Sequence, residues 1–306
     1  MISVSTTPDP HESRHRPVML RETIRALELE PGLVVVDGTV GAGGHSREIL
    51  PRIAPHGQLI GLDRDPMMLA FAGDWLGSPP NYHSRHTSYT GLKTVLDELS
   101  LTSADRVLLD LGLSSDQLAD ESRGFSFHAD GPLDLRFDTS AGVPASELLA
   151  SRSADELGSL FKDYGEEPHA AAIAKRIKSR STNAATLTGR ELGELIAEVA
   201  GRSGKRGGSH PATRVFQALR IAVNRELDEL HRMLHEILPA CLSPGGRAVI
   251  ITFHSLEDRM VKTAFRDRDV WSDVVKPIKP TPSEERINPR ARSAQIRVAT
   301  RRVATA

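Results

Sequence analysis

Short, mostly apolar runs alternate with helical patterns over the first 110 residues. The runs cover residues 33–36, 58–62 and 106–109, and aliphatic side chains dominate each of them. Runs of this length and composition predict strands that are buried on both faces of a sheet. Apolar residues recur at helical spacing between and before these runs, over 18–29, 45–53 and 67–76. Strands that alternate with helices in this way predict a doubly wound, Rossmann-like α/β fold.

The alternation stops after the third run and resumes only near residue 246. Helical patterns take its place, and they cover 145–161, 170–180, 188–200 and, beyond a glycine-rich loop, 216–238. A further apolar strand pattern follows at 246–253. The pattern therefore predicts an α/β sheet with a mostly helical insertion in its middle.

We expect the following domain organisation. Residues 1–15 are polar and predict a disordered tail. Residues 16–114 and 215–303 form one discontinuous cofactor-binding domain, and residues 115–214 form an inserted helical domain. Because variation around a common cofactor domain usually sets specificity, we expect the insertion to recognise the substrate.

Overall charge does not indicate a partner, because 39 Lys and Arg nearly balance 40 Asp and Glu among the 306 residues. Any phosphate-binding surface must therefore be local. Two basic clusters are candidates for it. The first is Arg202, Lys205, Arg206 and Arg214; the second is Arg286, Arg290, Arg292, Arg297, Arg301 and Arg302.

The single cysteine, Cys241, excludes disulfides within the chain and a cysteine-based zinc site. This fits a reducing, cytoplasmic location. The N-terminal segment lacks the apolar core of a signal peptide, and no apolar run approaches the ~18 residues that span a bilayer. We expect no membrane contact.

Three carboxylates end the predicted strands: Asp37, Asp63 and Asp110. In an open parallel sheet, ligands bind in the crevice beyond the carboxyl ends of the strands. An acid that ends the second strand can accept hydrogen bonds from both hydroxyls of a ribose. Since nicotinamide dinucleotides and S-adenosylmethionine share that requirement, the carboxylates alone predict only an adenosine-containing ligand.

The loop after the first strand distinguishes between the two ligands. It runs DGTVGAGGH over residues 37–45, an acid followed by a G-x-G-G pattern rather than the dinucleotide G-x-G-x-x-G. The acid suits the cationic amino and sulfonium groups of S-adenosylmethionine better than a pyrophosphate. Two other interpretations stay open at this point. They are a dinucleotide-dependent oxidoreductase and a non-catalytic RNA-binding or assembly factor that keeps the fold as a scaffold.

Ten sequence blocks, in this order, resemble one family. They are HRPVML (15–20), DGTVGAGGHS (37–46), DRDP (63–66), LDLGLSS (109–115), RGFSF (123–127), DGPLDLR (130–136), YGEE (164–167), HPATR (210–214), FHSLEDR (253–259) and NPRARS (288–293). The chain resembles the bacterial ribosomal RNA small-subunit methyltransferase H family over residues 16–303. That family N4-methylates a cytidine in the decoding region of 16S rRNA, with S-adenosylmethionine as the methyl donor.

The resemblance implies a set of cofactor contacts. By position they fall on Gly43, Gly44, His45, Asp63, Tyr89, Asp110 and Gln117. This chain departs from the family at Tyr89, where a phenylalanine is common, and over 266–288, which is shorter than in many members. Thr39 also replaces the glycine usual in methyltransferase loops. The implied partner is the small ribosomal subunit or its RNA; no metal is expected, and a homodimer is left open.

Asp110 and His254 are the candidate catalytic residues. A cytosine amine is a poor nucleophile because its lone pair is delocalised into the ring, so transfer needs close positioning and an acceptor for the amine hydrogens. Asp110 would lie at the boundary of cofactor and acceptor, and His254 is a second polar candidate. Each could instead cap a helix. Phe125, Phe127 and Phe253 are candidates to stack on an unpaired base or, equally, to pack in the core.

Overall fold

The computed structural model describes residues 17–180, 187–200 and 210–303. These residues fold as two compact units. The first unit combines residues 17–116 with 234–303, and the second comprises the described residues between 117 and 233. Among the described residues, no helix combines the length and the apolar composition needed to cross a membrane.

A seven-stranded sheet forms the centre of the first unit. Its strands are β1 Val34–Asp37, β2 Gln58–Asp63, β3 Tyr82–His86, β4 Ala104–Asp110, β5 Leu242–Thr252, β6 Trp271–Ser272 and β7 Gln295–Arg301. Their spatial order is β3-β2-β1-β4-β5-β7-β6. Strands β1 to β5 pair in parallel, and β7 is antiparallel to both β5 and β6. The order reverses direction at β1 and β4, which brings the ends of these two strands together.

Seven helices lie wholly within the first unit among its described residues. They are α1 Leu20–Leu27, α2 Gly44–Ile53, α3 Pro66–Leu76, α4 Leu92–Glu98, α12 Leu238–Cys241, α13 Ser255–Ala264 and α14 Pro282–Ile287. One continuous core packs α1 and α2 against the sheet, and it includes Leu27, Ile49, Leu59 and Val249. The doubly wound architecture predicted from the apolar runs is confirmed.

Helices make up most of the second unit. Helix α5 Ser115–Ala119 spans the boundary between the units. Within the second unit lie α6 Ala145–Ser151, α7 Ala154–Gly165, α8 Ala170–Arg180, α9 Gly189–Ala200, α10 Ala212–Asn224 and α11 Glu226–Arg232. The predicted insertion ended at residue 214, whereas α10 and α11 lie inside this unit. The reason is that α10 packs on α7, where the side-chain amide of Gln217 donates a hydrogen bond to the Tyr164 carbonyl at 3.0 Å.

Two predicted helices are divided in the structure. The helix expected over 145–161 ends at Ser151, and a new one begins after Ser153, whose hydroxyl accepts a hydrogen bond from the Glu156 amide at 3.2 Å. The helix expected over 216–238 breaks at Arg225, which has a φ of 52°. Apolar spacing alone did not predict these interruptions, because each depends on local capping and backbone geometry.

Candidate active site at the carboxyl edge of the sheet

Asp37 holds the glycine-rich loop at the end of β1. Its Oδ2 accepts a hydrogen bond from the Ser46 hydroxyl at 2.8 Å, and its Oδ1 accepts one from the Thr39 amide at 3.4 Å. Ser46 lies in the first turn of α2, so one buried carboxylate fastens both ends of the loop. Asp37 therefore shapes the site and was not among the predicted cofactor contacts.

Gly43 and Gly44 occupy positions where a side chain would be strained. Gly43 has a φ of 88°, a left-handed conformation that favours glycine. A Cβ on Gly44 would lie 2.3 Å from Cγ of Pro17. Helix α2 begins at Gly44, and the absence of a side chain there lets the backbone of this helix terminus pack closely against Pro17.

Asp63, at the end of β2, organises the same loop from the neighbouring strand. Its Oδ2 accepts a hydrogen bond from the Gly41 amide at 2.8 Å, and its Oδ1 accepts one from the Asp65 amide at 2.9 Å. Each carboxylate oxygen has a second lone pair. Asp63 can thus hold the loop and also accept hydrogen bonds from ribose hydroxyls.

Asp110, at the end of β4, keeps one oxygen without a partner in the part of the chain that the structure describes. Its backbone amide donates to Oγ1 of Thr39 at 2.6 Å, and its Oδ2 lies 3.8 Å from Nδ1 of His45. Its Oδ1 is buried and has no hydrogen-bond partner among the described residues. Because an unpaired buried oxygen costs free energy, it marks a place where a ligand group can donate.

Burial raises the pKa of all three strand-end carboxyls. The pKa of Asp37 and that of Asp63 rise to about 6, and that of Asp110 rises to about 8. Desolvation is the main cause in each case, and the charge of Asp37 adds to the effect at Asp110. Three carboxyls converge at this edge of the sheet, and Arg290 is the cation that lowers the pKa of Asp110 there. A ligand that carries a sulfonium and an ammonium group fits this edge, whereas a pyrophosphate does not.

His45 and Tyr89 lie at the same edge. His45 is buried, and its Nε2 lies 3.3 Å from the Val18 carbonyl oxygen. Tyr89 begins a short 3-10 turn, Tyr89–Gly91, after β3. A Cβ on Gly38 would lie 3.1 Å from Cβ of Tyr89, so this tyrosine lies beside the loop after β1.

The structure therefore brings six of the seven predicted cofactor contacts to one edge of the first unit. Gln117 is the seventh. It is buried on α5 and belongs to the second unit.

His254 caps helix α13. Its Nδ1 accepts a hydrogen bond from the Glu257 amide at 3.4 Å, and its Nε2 lies 3.0 Å from Oε1 of Glu257. Oε2 of Glu257 accepts hydrogen bonds in return from the amides of Phe253 and His254. Both ring nitrogens thus face Glu257. Of the two interpretations of His254, these contacts support the helix cap.

The aromatic candidates have different surroundings. Phe253 is half-buried, and its Cδ2 would lie 3.4 Å from a Cβ on Gly112, so it lies next to the turn that follows Asp110. In the second unit, Phe125 is buried and stacks on Phe137, and Phe127 stacks on His210 with 4.6 Å between ring centroids.

The second basic cluster differs from the expectation, whereas most of the first cannot be compared with it. Arg202, Lys205 and Arg206 lie outside the described residues. In the second cluster, Arg297 forms an ion pair with Asp258 at 2.6 Å, and Arg290 bonds inside the first unit. Both were expected to contact phosphate, and both are instead held by the protein. The exposed members are Arg286, Arg292 and Arg302.

Sequence patterns did not indicate Thr39, Ser46, Glu257 or Arg290 as parts of the site. Thr39 was noted only as a departure from glycine, and its hydroxyl now accounts for the position of Asp110. Contacts of this kind join strands that are far apart in sequence. The blocks DGTVGAGGHS, FHSLEDR and NPRARS contain these four residues and were the signal that could have found them.

The strand order, the loop after β1 and the carboxylates at the ends of β1, β2 and β4 together define an S-adenosylmethionine-dependent methyltransferase. The chain belongs to the MraW methylase family, whose model matches residues 12–302. Membership of this family removes the oxidoreductase interpretation.

Two relatives illustrate the similarity, and both are named ribosomal RNA small subunit methyltransferase H. The protein from Syntrophotalea carbinolica is 44% identical over 93% of this chain and 96% of its own length. The one from Dictyoglomus thermophilum is 45% identical over 95% of this chain and 98% of its own length. A solved S-adenosylmethionine-dependent O-methyltransferase from Thermotoga maritima covers 96% of this chain and 69% of its own, with 11% identity and a TM-score of 0.41.

Proposed function

We propose that this protein transfers a methyl group from S-adenosylmethionine to N4 of a cytidine in the decoding region of small-subunit ribosomal RNA. Membership of the MraW methylase family and relatives named for small-subunit RNA support the reaction class and the substrate. The choice of a cytosine amine rests on the sequence resemblance and on the free oxygen of Asp110.

The residues of the β1 and β2 ends would hold the cofactor. S-adenosylmethionine supplies an electrophilic methyl group on a cationic sulfur, and that sulfur takes the electron pair of the broken carbon–sulfur bond. Asp63 would accept hydrogen bonds from the ribose, while the loop backbone at Gly43 and Gly44 allows close approach. Tyr89 and His45 would line the cofactor site at the same edge of the sheet. Gln117 remains a proposed cofactor contact.

Asp110 would act on the acceptor amine. As the new nitrogen–carbon bond forms, the amine nitrogen gains positive charge and must lose a proton. The free Oδ1 of Asp110 can first accept a hydrogen bond from the amine and then take that proton. This unpartnered, buried carboxylate oxygen is the observation that supports the proposal most strongly.

Phe253 would lie against the flipped-out base. It follows β5, beside the turn after Asp110. A base must leave its helical stack before an enzyme can modify it. An aromatic ring then gives the unpaired base a new surface on which to stack. The capping contacts between His254 and Glu257 hold the backbone that directly follows Phe253. We therefore propose a positioning role for His254 rather than a catalytic one.

We propose that the second unit contributes to binding of the RNA. Arg214 is the one member of the first basic cluster among the described residues, and 54% of its side chain is exposed. We expect Arg214→Gln to weaken RNA binding about equally for all sequences and to reduce its salt dependence by about one charge. Arg152→Gln is the matched control, because Arg152 is similarly exposed in the same unit and pairs with Glu156. Equal affinities for the two variants would remove Arg214 from the interface.

Action in the cytoplasm and transfer without a metal belong to the same proposal.

The product identifies the reaction directly. Methyl-labelled S-adenosylmethionine is incubated with 30S particles and with free small-subunit RNA, and the RNA is then digested to nucleosides. We expect the label in N4-methylcytidine from at least one of the two substrates. Label in any other nucleoside, or none from either substrate despite cofactor binding, would overturn the proposal.

A further inference from the structure

A segment near the C-terminus fastens distant parts of the first unit. We call residues 282–293 the brace; it contains α14 and the 3-10 turn Pro289–Ser293. Near its start, Oε1 of Glu284 accepts a hydrogen bond from the Met19 amide at 3.1 Å. The neighbouring Val18 carbonyl lies against His45. One end of the brace therefore fixes the segment at Val18 and Met19, which contacts His45 at the start of α2.

The other end of the brace reaches the turn after β4. We call residues 110–115 the acceptor turn. Nη1 of Arg290 donates a hydrogen bond to the Ser115 hydroxyl at 2.8 Å, and Nη2 donates to the Leu113 carbonyl. The guanidinium is a rigid planar fork, so the two contacts fix two residues at once. Gly112, with a φ of 106°, lies inside this turn.

Charged or titratable groups from four elements face Asp110. Asp37 on β1 and Glu257 on α13 raise the pKa of Asp110, in addition to the larger effect of burial. Arg290 of the brace lowers that pKa, and His45 on α2 lies 3.8 Å away. Arg290 thus opposes the burial and the neighbouring carboxylates that favour the protonated form.

We propose that Arg290 is a positioning residue of methyl transfer. It holds the acceptor turn so that the free oxygen of Asp110 faces the amine, and it provides a positive charge to that carboxylate. This inference rests on the proposed role of Asp110. Arg290, which the sequence pattern assigned to a phosphate-binding cluster, would instead support the reacting carboxylate.

Three variants separate the two contributions of Arg290. Arg290→Gln removes the charge and the fork, and Arg290→Lys keeps the charge alone. Arg52→Gln is the control, because Arg52 lies at the last turn of α2 in an exposed pair with Glu48. The single-turnover rate of methyl transfer is measured for each variant from pH 5.5 to 9.5 at saturating cofactor.

We expect the acidic limb of the profile to shift to higher pH in Arg290→Gln, because Asp110 must then lose its proton without the positive charge of Arg290. A shift of one pH unit lowers the rate about tenfold on that limb. In Arg290→Lys the midpoint stays near that of the wild type while the plateau rate falls. Arg52→Gln follows the wild type throughout. An unshifted midpoint in Arg290→Gln would overturn the electrostatic part of the proposal.

Amide hydrogen exchange tests the positioning part without any turnover. We expect faster exchange in the peptide covering residues 111–116 of Arg290→Gln, and no change there in Arg52→Gln. Uniformly faster exchange over the first unit would indicate a general loss of stability and would contradict the proposal, as would unchanged exchange in the peptide. If the wild type methylates no cytidine, the proposed function fails, and the exchange result still decides whether Arg290 holds the turn.

Discussion

The hydroxyl oxygen of Thr39 accepts a hydrogen bond from the backbone amide of Asp110, with 2.6 Å between the two atoms. Thr39 lies in the loop after β1, and Asp110 ends the neighbouring strand β4. The threonine at a position where glycine is usual therefore joins the cofactor loop to the carboxylate that we propose for the acceptor amine. A glycine at this position would offer the amide no side-chain partner.

Thr39→Val tests this connection. Valine matches threonine in shape but cannot accept the hydrogen bond, so the Asp110 amide is left unpaired at a cost of about 1–3 kcal/mol. We expect a lower Tm and a slower methyl transfer. Thr39→Ser keeps the hydroxyl and should preserve the transfer rate to within a few-fold. Thermal unfolding and single-turnover assays measure the two effects, and a valine variant equal to the wild type in both would contradict the connection.

Asp63→Asn tests the cofactor contact. The asparagine has one acceptor oxygen, whereas Asp63 uses two oxygens to hold the amides of Gly41 and Asp65. We expect the Kd for S-adenosylhomocysteine to rise about tenfold or more, and the rate at saturating cofactor to change much less. Isothermal titration calorimetry gives the affinity. Asp97→Asn serves as the control, because Asp97 forms an exposed pair with Lys93; similar affinities in both variants would refute the assignment.

Burial of Asp110 predicts proton release on cofactor binding. Its pKa is raised to about 8 mainly by desolvation. A cationic sulfonium near this carboxyl favours the ionised form and lowers the pKa, whereas the neutral sulfur of S-adenosylhomocysteine does not. At pH 7.5 we expect S-adenosylmethionine to release more protons than S-adenosylhomocysteine. Calorimetry in buffers of different ionisation enthalpy measures this number, and equal release by the two ligands would count against the prediction.

The same raised pKa predicts how stability depends on pH. Between about pH 4 and 8 the folded protein holds a proton on Asp110 that the unfolded chain has lost, so this contribution to stability decreases as pH rises. Asp110→Asn removes the effect. We expect the variant to gain Tm relative to the wild type, and to gain more at pH 8.5 than at pH 5. Scanning calorimetry without cofactor measures the difference; a larger gain at pH 5 would show the opposite sign.

The sequence predicted most of the parallel sheet, because β1, β2, β4 and β5 are buried and strongly apolar. Strand β3 was missed, since Tyr82–His86 contains one apolar residue among polar ones. Strand β7 was missed because its arginines were interpreted as a phosphate-binding cluster. In the structure its residues alternate between buried and less buried positions, and Arg297 pairs with Asp258.

The position of a candidate site residue could be predicted where a single strand or loop carries it. The ends of β1, β2 and β4 converge because parallel strands present their carboxyl ends at one edge. The hydrogen bonds of Thr39 to Asp110 and of Arg290 to Ser115 join residues that are 71 and 175 positions apart. No local pattern encodes such a contact, so the positions of these side chains required the three-dimensional structure.

The role of Asp110 as the proton acceptor is tested by Asp110→Asn, with methyl transfer and cofactor affinity measured on the same preparation. Asparagine keeps the size of the side chain but cannot take a proton from the amine. We expect single-turnover transfer to small-subunit RNA to fall about 10²–10⁴-fold, while the Kd for S-adenosylhomocysteine changes less than about tenfold. Transfer at the wild-type rate would contradict the role of Asp110, and so would a loss of rate that saturating cofactor fully restores.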